Sequence, residues 1–148
     1  MAITAEDRAA ITELIAQHGH LCDSGELGRL DEVFTADVEY DLSDFGLRPA
    51  HGVQAVAAAA YALGELNPVG HHVTNVVLTD AGDDRVQGRS KGIGVSSDGS
   101  CGSVTYEDTI VRHGQGWRIS RRKVLAHRVP LGGALGQSGG ALGQSAEH

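Results

Sequence analysis

The sequence predicts an α+β fold in which helices near the N-terminus cover one face of a curved antiparallel sheet. In the first part of the chain, apolar residues recur at helical spacing, and from Gly70 onward they recur at every second residue. The segments with the second spacing are joined by "DAGD", "SSDG" and "HGQG", which are short connections typical of antiparallel neighbours. Helices grouped before strands are typical of this fold class.

The first predicted element is an amphipathic helix in "TAEDRAAITELIAQHGHLCDSG". One face of this helix carries Ile11, Leu14, Ile15, His18 and Cys22. Thr4 is the predicted N-cap, and Asp7, three residues later, is its reciprocal partner in a capping box. The helix is expected to end near Ser24-Gly25.

The next elements are shorter. A second helix is predicted in "ELGRLDEVF", where one face carries Leu27, Leu30, Val33 and Phe34. "DVEYDLS" alternates like a short strand, "DFGLRPAHG" is a predicted loop, and the alanine content of "VQAVAAAAYALGEL" predicts a third helix.

Four strands are then predicted, in "HHVTNVVLT", "DRVQGRSKGIGV", "SCGSVTYEDTIVR" and "GWRISRRKVLAHRV". Gly88, Gly92 and Gly94, in the second of these strands, are expected to ease a bend or a bulge in the sheet. A strongly bent sheet beneath helices predicts a pocket.

Residues 1–130 are predicted to form a single domain, and residues 131–148 a glycine-rich tail in which "GGALGQS" occurs twice in succession. Two copies of a seven-residue unit are too few to stack as a solenoid, so a flexible tail is expected. The alternative is that Leu131, Leu135 and Leu142 dock the tail on the protein or on a neighbouring subunit.

Composition limits the partners and the compartment. With 19 carboxylates against 12 Lys and Arg, the net charge of −7 favours neither nucleic acid nor an anionic membrane. The basic run of residues 121–123 is interpreted as a solvated strand face, with a local anion site as the alternative. Two cysteines without a Cys-x-x-Cys motif, a charged N-terminal segment and no long apolar stretch predict a cytoplasmic protein with reduced thiols.

Two adjacent histidines in "GHHVTNVVL" point to opposite faces of the predicted strand. By alternation, Val73, Asn75 and Val77 accompany His71, and Thr74, Val76 and Leu78 accompany His72. Both faces are largely apolar, so alternation alone does not choose between the histidines. No metal is predicted, because the pair cannot chelate one ion from both faces and the carboxylates lack a recognised ligand spacing. No motif for a serine or cysteine nucleophile is present either.

His18 and Asp23 have ordinary structural interpretations, as a core histidine and as a solvated or capping carboxylate at a helix end. Converging on one apolar cavity, however, an Asp and a His are mutually useful. The carboxylate fixes the imidazole tautomer and stabilises its charged form, and desolvation raises the proton affinity of the carboxylate. Such a combination favours general acid and base chemistry.

The sequence resembles the SnoaL-like polyketide cyclases and related dehydratases of the nuclear-transport-factor-two-like superfamily over about residues 4–129. The resemblance rests on "LIAQHGHLCDSGELGRLDEVFTADVEYDLS", "HHVTNVVLTDAGD" and "YEDTIVRHGQGWRISRR", in that order. It implies a cone formed by a curved sheet and helices, with the active site inside, no cofactor, and a homodimer formed by the outer face of the sheet. His72, Thr74 and Val76 are expected on that face.

The resemblance also implies site residues. His71 matches the catalytic histidine of the dehydratases and Asp23 matches the aspartate of the first helix, whereas His18 replaces a tyrosine with a group that can itself exchange protons. It further implies Tyr40 on the first strand, as a group that binds the substrate oxygen, and Tyr106, as a substrate-binding residue that reaches the cavity. Asn75, Phe45 and Trp117 are also expected to bind substrate.

These expectations indicate a cofactor-independent dehydratase, cyclase or isomerase that acts on a small hydrophobic cyclic or polyketide-like substrate. Two alternatives stay open. An enzyme of the epoxide-hydrolase type would hold a water between Asp23, Asn75 and Tyr40, and a non-catalytic ligand-binding or dimerisation module would lack convergence of His71 and Asp23.

Overall fold

A computed structural model describes residues 2–134, and its helices and strands follow the predicted order. They are α1 (Ala5–Asp23), β1 (Phe34–Asp41), β2 (Ala50–His51), α2 (Val53–Leu63), β3 (Gly70–Gly82), β4 (Arg85–Val95), β5 (Cys101–His113) and β6 (Gly116–His127). The predicted second helix is a 3₁₀ helix, Leu27–Glu32, and the predicted loop contains β2. Most of the predicted tail, residues 135–148, lies outside the described residues, and the domain boundary at residue 130 stays a prediction.

The predicted capping box starts α1. Thr4 Oγ1 accepts a hydrogen bond from the backbone N of Asp7 at 3.0 Å, and Asp7 Oδ2 accepts one from the backbone N of Thr4 at 3.1 Å. The other oxygen of Asp7 accepts from Trp117 Nε1 at 3.2 Å and from Arg112 Nη1 at 3.3 Å. One carboxylate therefore caps the helix and ties its first turn to the β5–β6 hairpin.

The six strands form one curved, unclosed sheet in the order β2-β1-β6-β5-β4-β3. Only the β1–β6 pair is parallel among the pairs of this sheet, so the sheet is mostly antiparallel and the predicted fold class is confirmed. The helices pack on its concave face, where the core includes Ile11, Ile15, Val86, Ile110 and Ile119. No helix within residues 2–134 is both long and apolar enough to cross a membrane.

A bulge in β3 corrects the predicted alternation of this strand. Thr74 pairs with Lys91 but Val77 pairs with Arg89, so β3 contains one extra residue there, and Asn75 has a left-handed φ of +56°. The extra residue reverses the faces beyond it. Val76 packs against the core and Val77 is 51% exposed, whereas strict alternation predicted the opposite arrangement for both.

The β4 glycines provide space for neighbouring side chains. A Cβ on Gly92 would lie 2.4 Å from Cε2 of Tyr106, and one on Gly88 would lie 3.0 Å from Cδ1 of Ile110. The register between β4 and β5 runs without a shift. The bulge in this part of the sheet lies in β3, opposite the β4 segment between Gly88 and Gly92.

Gly19 sets the distance between α1 and β3. A Cβ at this position would lie 2.8 Å from the backbone oxygen of His71 and 3.2 Å from its Cβ. An edge strand and the last turns of a helix can approach this closely only because residue 19 lacks a side chain. Gly19 thereby determines where the start of β3 lies.

We expect Gly19→Ala to lower the free energy of unfolding by about 1–3 kcal/mol, because the overlap with β3 outweighs the gain in helix propensity of about 1 kcal/mol. Urea denaturation measures the change. Gly28→Ala is the matched control, since a methyl group there meets no atom within 4 Å. Equal unfolding free energies for the two variants would contradict the close approach.

Candidate active site

His71 and Asp23 form a directly hydrogen-bonded pair at the end of α1. Nδ1 of His71 lies 2.6 Å from Oδ1 of Asp23, and the backbone N of His71 donates to Oδ2 at 2.9 Å. The two side chains are 18% and 28% exposed, so solvent reaches the pair. The predicted contact is confirmed, and the adjacent His72 is exposed on the other face of β3.

This geometry defines the proton positions of the pair. A carboxylate only accepts hydrogen bonds, so in the neutral form of the His71 ring the proton lies on Nδ1 and Nε2 has the lone pair. The second hydrogen bond, from the backbone, fixes the other oxygen of the same carboxylate. The pair therefore combines a partly exposed imidazole with a carboxylate whose negative charge stabilises the protonated ring.

His18 lies next to this pair but is buried. Its ring centroid is 6.0 Å from that of His71, and its side chain is packed against Phe34 at a centroid distance of 5.4 Å. Its Nδ1 is 3.2 Å from Nη1 of Arg122, and its Nε2 is 3.5 Å from Sγ of Cys22. Burial, and then the positive charge of Arg122, lower the pKa of His18 well below its usual value of 6.5. His18 is therefore neutral at pH 7.

The interior behind His18 contains an ion pair that the sequence analysis missed. Arg122 Nε and Nη2 donate to the two carboxylate oxygens of Asp108 at 2.7 and 2.8 Å, and both side chains are fully buried. Burial alone would lower the pKa of Arg122, but the charge and hydrogen bonds of Asp108 raise it above its usual value. The predicted solvated face for residues 121–123 is wrong for Arg122, and the interior next to His18 is charged, whereas an apolar one was expected.

A second bulge explains why this pair was missed. Thr109 pairs with Arg121 and Ile110 pairs with Ile119, so β6 contains one extra residue between them. Alternation continued from Ile119 would turn residue 122 outward. One signal was available: Asp108 lies between Tyr106 and Ile110 at a spacing of two, which predicts a carboxylate on an apolar face and hence a buried cation beside it.

Two tyrosines complete the interior around His18. The ring centroid of Tyr40 lies 6.1 Å from that of His18, and the guanidinium carbon of Arg122 lies 4.2 Å from the ring centroid of Tyr106. Burial raises the pKa of both hydroxyls above their usual value of 10, so both remain protonated near neutral pH. Each hydroxyl therefore keeps a proton that it can donate in a hydrogen bond.

Three predicted substrate-binding residues lie elsewhere. Asn75 is at the β3 bulge and, with Val77, lines an open groove of about 540 Å³ on the outer face of the sheet. Phe45 is 42% exposed beneath the guanidinium of Arg128. Trp117 packs on the first turn of α1, about 24 Å along the helix axis from Asp23. The candidate site therefore consists of His71, Asp23, His18, Tyr40 and Tyr106.

Within residues 2–134, no group of three or more His, Cys, Asp or Glu side chains is arranged to hold a metal ion. Cys22 lies beside the site, where burial raises the pKa of its thiol to about 11. A thiol with this pKa stays protonated at neutral pH and is a poor nucleophile.

Comparison with known proteins agrees with this architecture. The sequence profile of the SnoaL-like domain family matches residues 4–123. A solved NTF2-like protein with a cystatin-like fold from Novosphingobium aromaticivorans is 30% identical, with a TM-score of 0.69 over 88% of each chain. A candidate aromatic ring hydroxylase from the same organism is 27% identical, with a TM-score of 0.70 over 86% of this chain and 94% of that chain.

A candidate scytalone dehydratase, also from Novosphingobium aromaticivorans, is 19% identical and shares the fold, with a TM-score of 0.67 over 82% of this chain and 84% of that chain. A comparison with curated proteins found no significant match.

The lowered pKa of His18 makes stability depend on pH. Below about pH 6.5, His18 binds a proton in the unfolded state but not in the folded state. The contribution of His18 to the stability of the fold is therefore present above that pH and is lost as the pH falls. As the pH falls from about 7.5 to about 5.5, we expect the protonation of unfolded His18 to lower the free energy of unfolding by about 1.4 kcal/mol. Urea denaturation at both values measures the loss.

The matched variants are His18→Gln, which should lose this part of the pH dependence, and His20→Gln on the exposed side of the same helix, which should retain it. Identical pH dependence in the wild type and His18→Gln would contradict a neutral buried imidazole.

Proposed function

The chain belongs to the SnoaL-like domain family, and from that premise we propose that it is a cofactor-independent enzyme that transfers a proton at the carbon next to a carbonyl group. The substrate class we propose is a small, hydrophobic, cyclic or polyketide-like molecule. The observation that carries the proposal is the His71–Asp23 pair, in which a carboxylate 2.6 Å from Nδ1 keeps the lone pair of Nε2 available as a base.

In the proposed reaction, Nε2 of His71 removes the proton from carbon and Asp23 stabilises the imidazolium that forms. The electrons move onto the substrate oxygen, where Tyr40, Tyr106 and His18 supply the nearest protonated donors. The enolate then reacts in one of three ways. In dehydration it expels a β-hydroxyl group, which takes the proton from His71 and leaves as water. In cyclisation its carbon attacks a second carbonyl carbon of the substrate, whose oxygen takes the proton, and in isomerisation another carbon takes the proton. All three reactions share the first step, so the pair serves each of them.

The two alternatives receive less support. An enzyme of the epoxide-hydrolase type needs Asn75 beside Asp23, but Asn75 is exposed at a bulge beyond the inward-facing start of β3. A non-catalytic module would not need the two hydrogen bonds that hold the carboxylate of Asp23 against His71.

We also propose that two copies of the chain associate through the outer face of the sheet. That face exposes Val77 and Ile93 at 51% and 42%, and it carries the groove of about 540 Å³, which Leu125 also lines. Val76, which was expected on this face, packs inward because of the β3 bulge. Val77 and Ile93 therefore replace it as the apolar centre of the proposed interface.

Proton transfer is tested by deuterium exchange into 1-tetralone, a bicyclic ketone, in D₂O. We expect the wild type to catalyse exchange at the carbon next to the carbonyl, and His71→Ala to lower kcat by at least about 10²-fold with KM within about tenfold. Mass spectrometry measures the incorporation. His72→Ala is the matched control, because this neighbour faces away from the site.

Asp23→Asn keeps the shape and removes the charge, so it should cost a factor comparable to that of His71→Ala. Because the two residues act as one unit, the double variant should lose much less than the product of the two factors. Factors that simply multiply would mean that the residues act independently. Equal exchange by the wild type and His71→Ala would overturn the proposed function.

Association is tested by light scattering at micromolar concentration. We expect a mass of about twice 15.4 kDa for the wild type, and a shift towards the monomer for Val77→Asp, because a charge at the centre of an apolar contact is costly to bury. Thr12→Asp, on the exposed face of α1, is the control and should leave the mass unchanged. A monomer mass for the wild type would contradict the proposed interface.

A further inference from the structure

The two ring nitrogens of His18 have chemically different neighbours. Nδ1 faces Nη1 of Arg122 at 3.2 Å, and Nε2 faces Sγ of Cys22 at 3.5 Å. A guanidinium has only donors, so the nitrogen that faces it must accept and cannot carry a proton. A neutral His18 therefore has its proton on Nε2.

Arg122 cannot turn away from His18 without breaking other contacts. Its Nε and Nη2 are bound to both oxygens of Asp108 at 2.7 and 2.8 Å, and its guanidinium carbon lies 4.2 Å from the ring centroid of Tyr106. Arg122 and Asp108 are fully buried, where an unpaired charge is very costly. The direction of Nη1 is therefore fixed by Asp108 on the neighbouring strand.

The N–H on the other side of the ring has only a weak acceptor. Sulfur accepts hydrogen bonds poorly, and the Cys22 thiol remains protonated at neutral pH. Buried N–H groups normally face a strong acceptor. The Nε2–H group lies on the side of the ring away from Arg122, near the end of α1 where Asp23 and His71 lie. A substrate oxygen would bind this group more strongly than the sulfur does.

We propose that Arg122 is a positioning residue that keeps His18 neutral with its proton on Nε2, so that His18 donates a hydrogen bond to the substrate oxygen while His71 alone transfers the proton. This inference rests on the proposed function and assigns separate roles to the two histidines. It also replaces the expectation that His18 itself exchanges protons. A second positive charge on His18 would lie 3.2 Å from Arg122, which opposes protonation.

The polar and titratable groups around His18 come from every element packed against it. They are Cys22 on α1, Tyr40 on β1, His71 on β3, and Arg122 on β6 with Asp108 of β5 behind it. The carboxylate of Asp108 binds Arg122, and within residues 2–134 the groups that contact the His18 ring include no carboxylate to favour its charged form.

The first test records the ring nitrogens of ¹⁵N-histidine-labelled protein by NMR, with His18→Gln identifying the signals of residue 18. We expect one protonated and one unprotonated nitrogen, unchanged between about pH 5.5 and 8.5. A His18 ring that titrates near pH 6.5, or that exchanges between its two tautomers, would overturn the proposal. The spectrum needs no substrate, so it tests His18 even if 1-tetralone does not react.

The second test removes the arginine and its partner together. Arg122→Met with Asp108→Leu replaces the ion pair by apolar groups of similar size and leaves no unpaired charge. In this double variant, we expect the His18 ring to exchange between its two tautomers. The chemical shifts of its two ring nitrogens should then move towards their average. Unchanged His18 signals would mean that Arg122 does not control the tautomer.

The third test separates donation from proton exchange, using deuterium exchange into 1-tetralone. His18→Gln, whose amide both accepts and donates, should retain kcat within about tenfold and keep the shape of the pH profile. His18→Phe should lower kcat by about 10²-fold, because the donor is lost. His20→Gln is the control. Loss of one limb of the pH profile in His18→Gln would overturn the proposal, because it would show that His18 exchanges protons.

If His18→Phe does not fold, the nitrogen spectrum of the wild type and the His18→Gln profile still decide the matter. If the wild type catalyses no exchange, the proposed function fails, whereas a titrating His18 in the spectrum contradicts only the role assigned to Arg122. The two failures are therefore distinguishable.

Discussion

The rest of the interior depends on one buried ion pair. A guanidinium cannot be buried without a counter-charge, so Arg122 requires Asp108 directly opposite on the adjacent strand. That requirement matches the register of β5 with β6, in which the bulge of β6 turns residue 122 inward opposite Asp108. It also determines the state of His18, which packs against the charged group and stays neutral. The buried ion pair thus determines the polarity of the interior part of the site.

The remaining part of the site lies near solvent and depends on a close approach of backbones. His71 lies on an edge strand, and its position is held by Asp23 at the end of α1 and by the missing side chain of Gly19. Helix and strand therefore each supply one half of the pair. The site therefore has two parts, the buried ion pair of Arg122 and Asp108 and the solvent-accessible pair of His71 and Asp23. His18 lies between them.

The sequence predicted most of the fold because its local signals agree with one another. The capping box of Thr4 and Asp7, the helical spacing of α1 and the two-residue spacing after Gly70 all correspond to observed elements. The contact between His71 and Asp23 was expected from the family resemblance together with the alternation of the strand, which holds at His71 because this residue precedes the bulge. Arg122 was not, because a bulge is decided by the pairing of two strands and leaves little trace in either sequence alone.

The bulge at Asn75 divides β3 into two segments, and the residues that face the core are odd-numbered in one segment and even-numbered in the other. Before it, odd-numbered residues such as His71 and Val73 face inward, and after it even-numbered residues such as Val76 and Leu78 do so. Insertion or deletion of one residue at this point would exchange the faces of the distal segment while leaving the proximal segment in phase with α1. Such a change would expose Val76 and Leu78 to solvent and turn Val77 towards the core, but it would leave His71 facing Asp23.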